Sequence, residues 1–433
     1  MSLTNALASS VSGLSTSSTA ISVIGDNIAN ANTPGFKEKR AEFASVLGQN
    51  ITVGSGFAQT GAGARTNDIG TIFSQGTFEQ TGRTTDLGIE GRGFFVLENN
   101  AGRSFSRAGI FGFDANGVLV DPSQNRVQGF GIDPATGQSN GVLGDIQINL
   151  PLAPPQATAT ISLGMNLSAA ETAIPGGFDP ADPINSSNAR ETVTIFDSLG
   201  APRDVTIFFT KTAADTFQFN VTLPDGQAGA PTGDPFVVQG SGDLVFDTSG
   251  ALVSIAGGTV PPTIALNLDA ANGANPLQNV VLDMGPIAGV GTGNPTTRFD
   301  TETATNFQSQ DGFAPGQLSS LEIDANGRLN GVFTNGVTQP MAQLALANFG
   351  NVEGLTDVGG SRLIESISSG APIIAAANSG NLGSIRSSSL EKSNVDLAQQ
   401  FVNLIVSQRA FQANTRTVSV ANELLANLVN LGQ

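Results

Sequence analysis

No cysteine, histidine, tryptophan or tyrosine occurs in the chain. Zinc, haem and iron–sulfur centres thereby lose their usual ligands, and serine–histidine and cysteine–histidine nucleophiles are excluded. Carboxylates, lysines, arginines and hydroxyls are what remain for chemistry. A carboxylate pair of the glycosidase kind is the surviving acid–base option. The aromatic platforms on which glycan clefts usually rely are reduced to phenylalanine. We therefore expect no catalytic residue, no metal ligand and no cofactor.

Basic side chains are also scarce: 19 Lys and Arg against 36 Asp and Glu give a net charge of −17. Nucleic acid and anionic membrane are held by basic surface, so neither is expected as a partner. No apolar run approaches the roughly 18 residues that cross a bilayer. A basic, then apolar, then small-residue leader is missing from the N-terminus. Composition alone would place such a chain in the cytoplasm, yet low charge and 53 glycines resemble an exported surface protein. If the chain is exported, the route is not the general secretory one.

The charge is unevenly spread. Residues 1–50 balance Asp26, Glu38 and Glu42 against Lys37, Lys39 and Arg40; residues 391–433 balance Glu391, Asp396 and Glu423 against Lys392, Arg409 and Arg416. The middle thus carries the whole excess. Neutral ends suit close packing, and an acidic middle suits solvent.

Both ends read as long helices. Leu7, Leu14, Ile21 and Ile28 recur every seven residues on a segment otherwise rich in Ser and Thr, a narrow apolar stripe on a helix too weak to stand alone. Asn32-Thr33-Pro34-Gly35 ends it. At the other end Leu397, Leu404, Phe411, Val418 and Leu425 repeat with the same period, accompanied by Phe401 and Val429. Ser393 and Asp396 resemble a capping box that starts this helix near Asn394. A second stripe through Val402, Val406, Val420, Leu424 and Leu428 lies on another face, so this helix requires more than one neighbour. We expect the N-terminal stripe to pack on the Leu397–Leu425 seam and the second C-terminal stripe to meet other subunits. The assembly residues are then Leu7, Leu14, Ile21, Ile28, Leu397, Phe401, Leu404, Phe411, Val418 and Leu425.

Between the ends the chain reads as β. Apolar or alternating runs at 86–89, 94–97, 192–196 and 205–209 stand between Gly, Pro, Asn and Asp clusters. The expected fold is α+β and multidomain, with terminal helices forming a coiled-coil-like layer and two mainly β domains, the second inserted in the first. Its divisions are 1–33 with 390–433 (helical), 34–150 with 305–389 (discontinuous β), and 151–304 (inserted outer β). Asp-Ala-Asn-Gly at 114–117 and 324–327 lacks the later ligands of a calcium loop and reads as a hairpin turn. Gly91-Arg92-Gly93 lacks the lysine and helix of a phosphate loop and reads as a bulge or tight turn.

Two segments carry a family resemblance. Asn27-Ile28-Ala29-Asn30-Ala31-Asn32-Thr33-Pro34-Gly35-Phe36-Lys37 resembles the N-terminal signature of the flagellar rod and hook proteins, with Phe36 where tyrosine is common. Leu390-Glu391, Ser393 to Leu397 and Ser407 to Asn414 resemble their C-terminal signature, with Phe411 in place of tyrosine. Segments 76–96 and 105–117 are similar to stretches shared across that family. Phe196-Asp197-Ser198-Leu199-Gly200 and 335–349 look like its hook members, whereas distal-rod members are shorter and lack the inserted domain.

The resemblance implies a homopolymer: a curved helical tube acting as a universal joint that passes motor torque to the filament. It also implies an extracellular place on the basal body, export by the flagellar type III apparatus without a cleaved signal peptide, and contacts with a hook cap, the distal rod and the hook–filament junction. The other readings are a distal rod-type subunit and, outside the class, a secreted adhesin. Like charges on the acidic middle oppose assembly and are screened by salt. Raising ionic strength should therefore lower the concentration at which the protein sediments as polymer; a salt-independent threshold would remove this repulsion from the account.

Overall fold

The computed structural model describes residues 3–47, 50–53, 56–59, 61–133, 136–148, 152–291 and 293–431. Helix α1 spans Leu3–Ala29 and helix α2 spans Leu397–Leu431. The rest of the described chain is mainly β. It divides into two compact units, one of residues 1–149, 320–331 and 338–433, the other of 150–319 and 332–337. Residues 305–319 thus belong with the second unit, and strands Gly316–Ile323 and Arg328–Phe333 each pass from one unit into the other.

In the first unit Phe94–Asn99 pairs antiparallel with Gly102–Ser106, Arg126–Ile132 and Thr338–Asn348. Side chains on successive strand residues point to opposite faces, and both faces of this sheet are covered. Phe95, Leu97, Leu344 and Leu346 enter one core, while Phe94, Val96, Ala345 and Ala347 enter another. Double burial accounts for the continuous apolar runs. Gly91 and Gly93 bring the chain through a bend into this strand with φ of 105° and 128°, where a phosphate loop would lead into a helix.

In the second unit five strands, Ala189–Phe196, Pro202–Ala213, Thr216–Pro224, Phe236–Phe246 and Leu252–Ile255, form an antiparallel meander. A four-stranded sheet runs in the order Thr263–Asn267, Leu277–Asp283, Thr160–Asn166, Ala304–Gln310. Both contribute to one core, in which Ile161, Leu163 and Met165 join Ile195, Ile207, Phe209, Phe217 and Phe219.

One turn recurs through both units. At Asp114 the carboxylate accepts from the N–H groups of Asn116 and Val118, both at 2.8 Å, and Gly117 sits at φ 75°. Asp324 repeats this with Asn326, Arg328 and Gly327. Asp197 and Asp247 do the same ahead of Gly200 and Gly250, without the Asn-Gly pair that marks the first two. The determinant is an aspartate at the first position and a residue tolerating positive φ at the fourth. For Asp247 the Ser249 hydroxyl and then the Ala251 N–H hold the carboxyl below the ordinary aspartate range, and for Asp114 the Val118 N–H does so first.

Asp197 is the buried example, with a side chain wholly enclosed. Its second oxygen takes bonds from Asn272 Nδ2 at 2.8 Å and an Arg203 nitrogen at 3.4 Å. Burial by itself would raise its pKa; the Asn272 amide, the Ala201 and Leu199 N–H groups and the Arg203 charge outweigh it, and the carboxyl titrates below the usual value. A depressed folded pKa stabilises fully above the unfolded value near 3.9 and is lost as pH falls through the folded one. Asp197→Ala should destabilise the second unit by about 3 kcal/mol at neutral pH and lose most of that deficit as pH falls through the depressed folded pKa, as read by urea melts at neutral and acid pH. An unchanged melt at pH 7 would show the carboxylate to be dispensable.

Candidate functional site: a terminal helix pair clamped to a β body

The two chain ends meet as an antiparallel helix pair. α1 is about 40 Å long and α2 about 52 Å at 1.5 Å per residue. α2 starts at the N-cap Asp396, whose Oδ1 accepts from the N–H groups of Ala398 at 2.8 Å and Gln399 at 3.2 Å. The expected Ser393 cap is corrected to Asp396, because a cap must reach the second or third helical N–H. Ser393 bonds only the N–H of Val395.

The pairing of the two stripes also needs correction. On α1 the most enclosed side chains are Ser10, Val23, Ile24 and Asn27, with Leu7, Leu14, Ile21 and Ile28 half-buried beside them. Among the described side chains of α2, Gln400 and Ala421 are buried, and Leu404 and Val418 are half-buried. Leu397, Phe401 and Phe411 are exposed, Phe401 at 50% and Phe411 at 38%, so α1 encloses none of the three, although Leu397 and Phe411 share the helix side of Leu404 and Val418 at seven-residue spacing. The side chain of Leu425 falls outside the described residues. Val402, Val406, Val420 and Leu424 are exposed as well, Val406 at 61%. Apart from its α1-facing side, α2 therefore offers two largely exposed apolar stripes, with Val406 also edging a cleft beside Ala20, Val23 and Ile24 of α1.

α1 has a second neighbour that the sequence did not disclose. Strands Lys39–Ser45 and Ala64–Thr71 pair antiparallel as a ribbon, and both touch the helix. Ala64 N–H donates to Ser12 Oγ at 3.1 Å. Serines on α1 thus serve the ribbon and the helix backbone, Ser10 bonding the Ala6 carbonyl.

A buried ion cluster fastens the pair to the β body. Glu391, with 0% side-chain exposure, lies just before α2; its Oε1 is 2.6 Å from Lys37 Nζ and its Oε2 is 3.3 Å from Arg107. Gly76 N–H donates to the same Oε1 at 2.9 Å. Lys37 also donates to the Ser74 carbonyl, and Arg107 to those of Gly91 and Ile89. Burial is the largest influence on Lys37 and Arg107 and lowers both pKa values; the Glu391 charge opposes it. Gly35 completes the clamp. Its N–H bonds the Glu391 carbonyl at 2.8 Å, and a Cβ there would stand 2.4 Å from the Ala108 nitrogen. Asn394 extends it, accepting from the Glu38 N–H and donating to the Ile72 carbonyl.

The residues brought together in this way are the ones that carry the two terminal signatures. The N-terminal stretch 7–37 matches the flagella basal body rod protein model and 386–431 the flagellar basal body rod FlgEFG protein C-terminal model. Residues 88–166 match the flagellar hook protein FlgE/F/G D1 domain and 166–313 the flagellar basal body protein FlaE D2 domain. Helix pair, clamp and β units together define a flagellar axial protein. Among curated relatives, the flagellar hook protein FlgE of Escherichia coli is 34% identical over 98% of this chain and all of its own length. That of Treponema pallidum is 32% identical over 98% of this chain and 99% of its own. The chain belongs to the flagellar hook protein FlgE family. The crystal structure of Helicobacter pylori flagellar hook protein FlgE2 shares the fold, with a TM-score of 0.52 and 14% identity over 71% of this chain and 99% of that one.

Removing one partner of a buried pair strands the remaining charges, at a cost of about 3–5 kcal/mol. Glu391→Gln should lower the stability of the first unit by about that amount, and adding Lys37→Met should restore part of it, as calorimetry would show. Equal melting of Glu391→Gln and the parent would mean that the clamp carries no net stability.

Proposed function

We propose that the chain is a structural subunit of the bacterial flagellar hook, polymerising into a curved tube that transmits torque from motor to filament. The observation that carries this reading is the pair of exposed apolar stripes on α2, Leu397, Phe401 and Ile405 on one side and Val402, Val406, Val420 and Leu424 on the other. Apolar surface of this extent signals an interface, and a helix already paired once that keeps two free stripes can meet two further neighbours. The terminal helices then form a coiled-coil-like inner layer, with the β units outside.

In this reading the assembly residues are Leu397, Phe401, Phe411 and the Val402–Leu424 stripe toward neighbouring subunits, while Leu7, Leu14, Ile21, Ile28, Leu404 and Val418 line or flank the intrachain seam. Leu425 belongs with the latter by its heptad position. The role is structural, without catalysis. The partners are copies of the same chain, then the distal rod, the hook cap, the junction proteins and the type III export apparatus, with export needing no cleaved leader. The discontinuous β domain, 34–149 with 320–331 and 338–389, and the outer domain, 150–319 with 332–337, are proposed as the radial layers.

Electron microscopy of the purified protein at high concentration tests the proposal: curved tubes support it, straight tubes favour a rod-type subunit, and persistent monomers overturn it. Val402→Asp with Val406→Asp should leave the melting of the β units within about 0.5 kcal/mol of the parent, as surface substitutions do, yet abolish sedimentable polymer. Deleting residues 2–33 should likewise leave a folded β body that cannot assemble. Tubes of normal geometry from either variant would refute assembly through the terminal helices.

A further inference from the structure

The seam between α1 and α2 is held at two places by residues that are not apolar. Near the β body Asn27 Nδ2 lies 3.3 Å from Gln400 Oε1; both side chains are buried. Asn27 also bonds the Lys39 backbone twice, at 2.7 Å to its carbonyl and 2.9 Å from its N–H, and Gln400 Nε2 donates to Glu38 Oε1 at 2.8 Å. Farther out Gly13 faces Asn414 so closely that a Cβ would stand 2.7 Å from the Asn414 amide nitrogen.

The spacing of these contacts is the same on both helices. Asn27 and Gly13 are 14 residues apart, and so are Gln400 and Asn414. Fourteen residues are two heptads, so both contacts belong to one antiparallel register in which the paired residue numbers add to 427. The same register sets Ala20 opposite Ser407 and Ala6 opposite Ala421. Ala20 and Ser407 line one cleft of about 240 Å³ together with Gln400, and Ala421 is buried. A layer of small and polar residues thus recurs every seven positions, one residue ahead of the Leu7–Ile28 stripe.

A uniform heptad stripe lets antiparallel helices slide by seven residues and bury similar apolar surface at each stop, and a single polar contact in such a seam selects one register. Sliding α2 by one heptad would carry Gln400 away from Asn27 and Glu38, leaving its buried amide without those partners. It would also set Asn414 against Ala20 or Ala6, where a Cβ occupies the space that is open at Gly13. We infer that Asn27–Gln400 and Gly13–Asn414 are register pins: they specify a single in-chain alignment of the helix pair. This fixes which angle the two free α2 stripes make with the β body. The inference rests on the proposed assembly role only for that last consequence; the register itself is a property of one chain.

The chain has no cysteine, so disulfide mapping needs no background substitutions. Ala20→Cys with Ser407→Cys reports the pinned register, and Ala20→Cys with Asn414→Cys reports a slip of one heptad. The pairs are oxidised in the full-length soluble protein and in its pelleted polymer, then run on non-reducing gels with peptide mapping. The pinned-register pair should cross-link within a chain by at least tenfold over the slipped pair. That slip reporter removes Asn414 and keeps the Asn27–Gln400 pin; Ala20→Cys with Gln400→Cys, which removes Gln400 and keeps the Gly13–Asn414 pin, reports a slip in the opposite direction, so each is read with one pin intact. When Asn27→Leu, Gly13→Ala and Gln400→Leu are added to the pinned and first slip reporters, slipped cross-linking should rise several-fold. If the unpinned chain stays in the pinned register, or if the parent cross-links between chains rather than within one, the inference is overturned. Failure to form tubes would refute the hook reading while leaving the soluble-chain result to judge the pins.

Discussion

The architecture of the first unit depends on one fully enclosed carboxylate. Glu391 is the point at which both chain ends and the β body meet: Lys37 follows α1, Arg107 comes from the body, and Glu391 itself precedes α2. Taking three charges out of water costs several kcal/mol per ion, and only close partners with their remaining hydrogen bonds filled make it tolerable. Here the carbonyls of Ser74, Gly91 and Ile89 and the N–H of Gly76 fill most of them, and the Arg107 Nε is left without a partner. An apolar contact of the same size would hold the parts together but not at one angle. Directional bonds do both, which suits a part through which force has to pass.

The helix pair follows the same logic in a different material. α1 is short of large apolar residues because it is enclosed on two sides by elements that come close, α2 at Gly13 and the 39–71 ribbon at Ser12. Serine, glycine and alanine allow that approach, and their hydroxyls are satisfied by the helix's own carbonyls. α2 spends its large side chains outward instead. Buried small residues and exposed large ones invert the order of a single-chain protein, and the inversion is sensible only when the outward side is covered by other chains.

Much of this was legible before the structure. The heptads of both ends, the β character of the middle and the Asp-Ala-Asn-Gly turns follow from periodicity and from residue types with few backbone options. The 39–71 ribbon was not, since its strands are short of alternation and Phe43 and Ile69 are exposed. The turns at Asp197 and Asp247 escaped for a related reason: the aspartate carries the geometry, while the Asn-Gly pair on which the reading leaned is incidental. The exposure of Leu397, Phe401 and Phe411 in the single chain was not legible either, because a heptad shows that a stripe exists without showing how far a neighbour covers each member.

The sequence by itself determined that the ends are helices unable to stand alone, that the body is β and acidic, and that histidine- and cysteine-based chemistry is absent. These are consequences of residue type and short-range spacing. Only the tertiary structure decided that Lys37, Arg107 and Glu391 share one buried site across 354 residues of chain, and that the seam runs along the small and polar heptad beside the apolar one. Both depend on which distant groups lose their water together, a property of the folded arrangement that no local pattern contains.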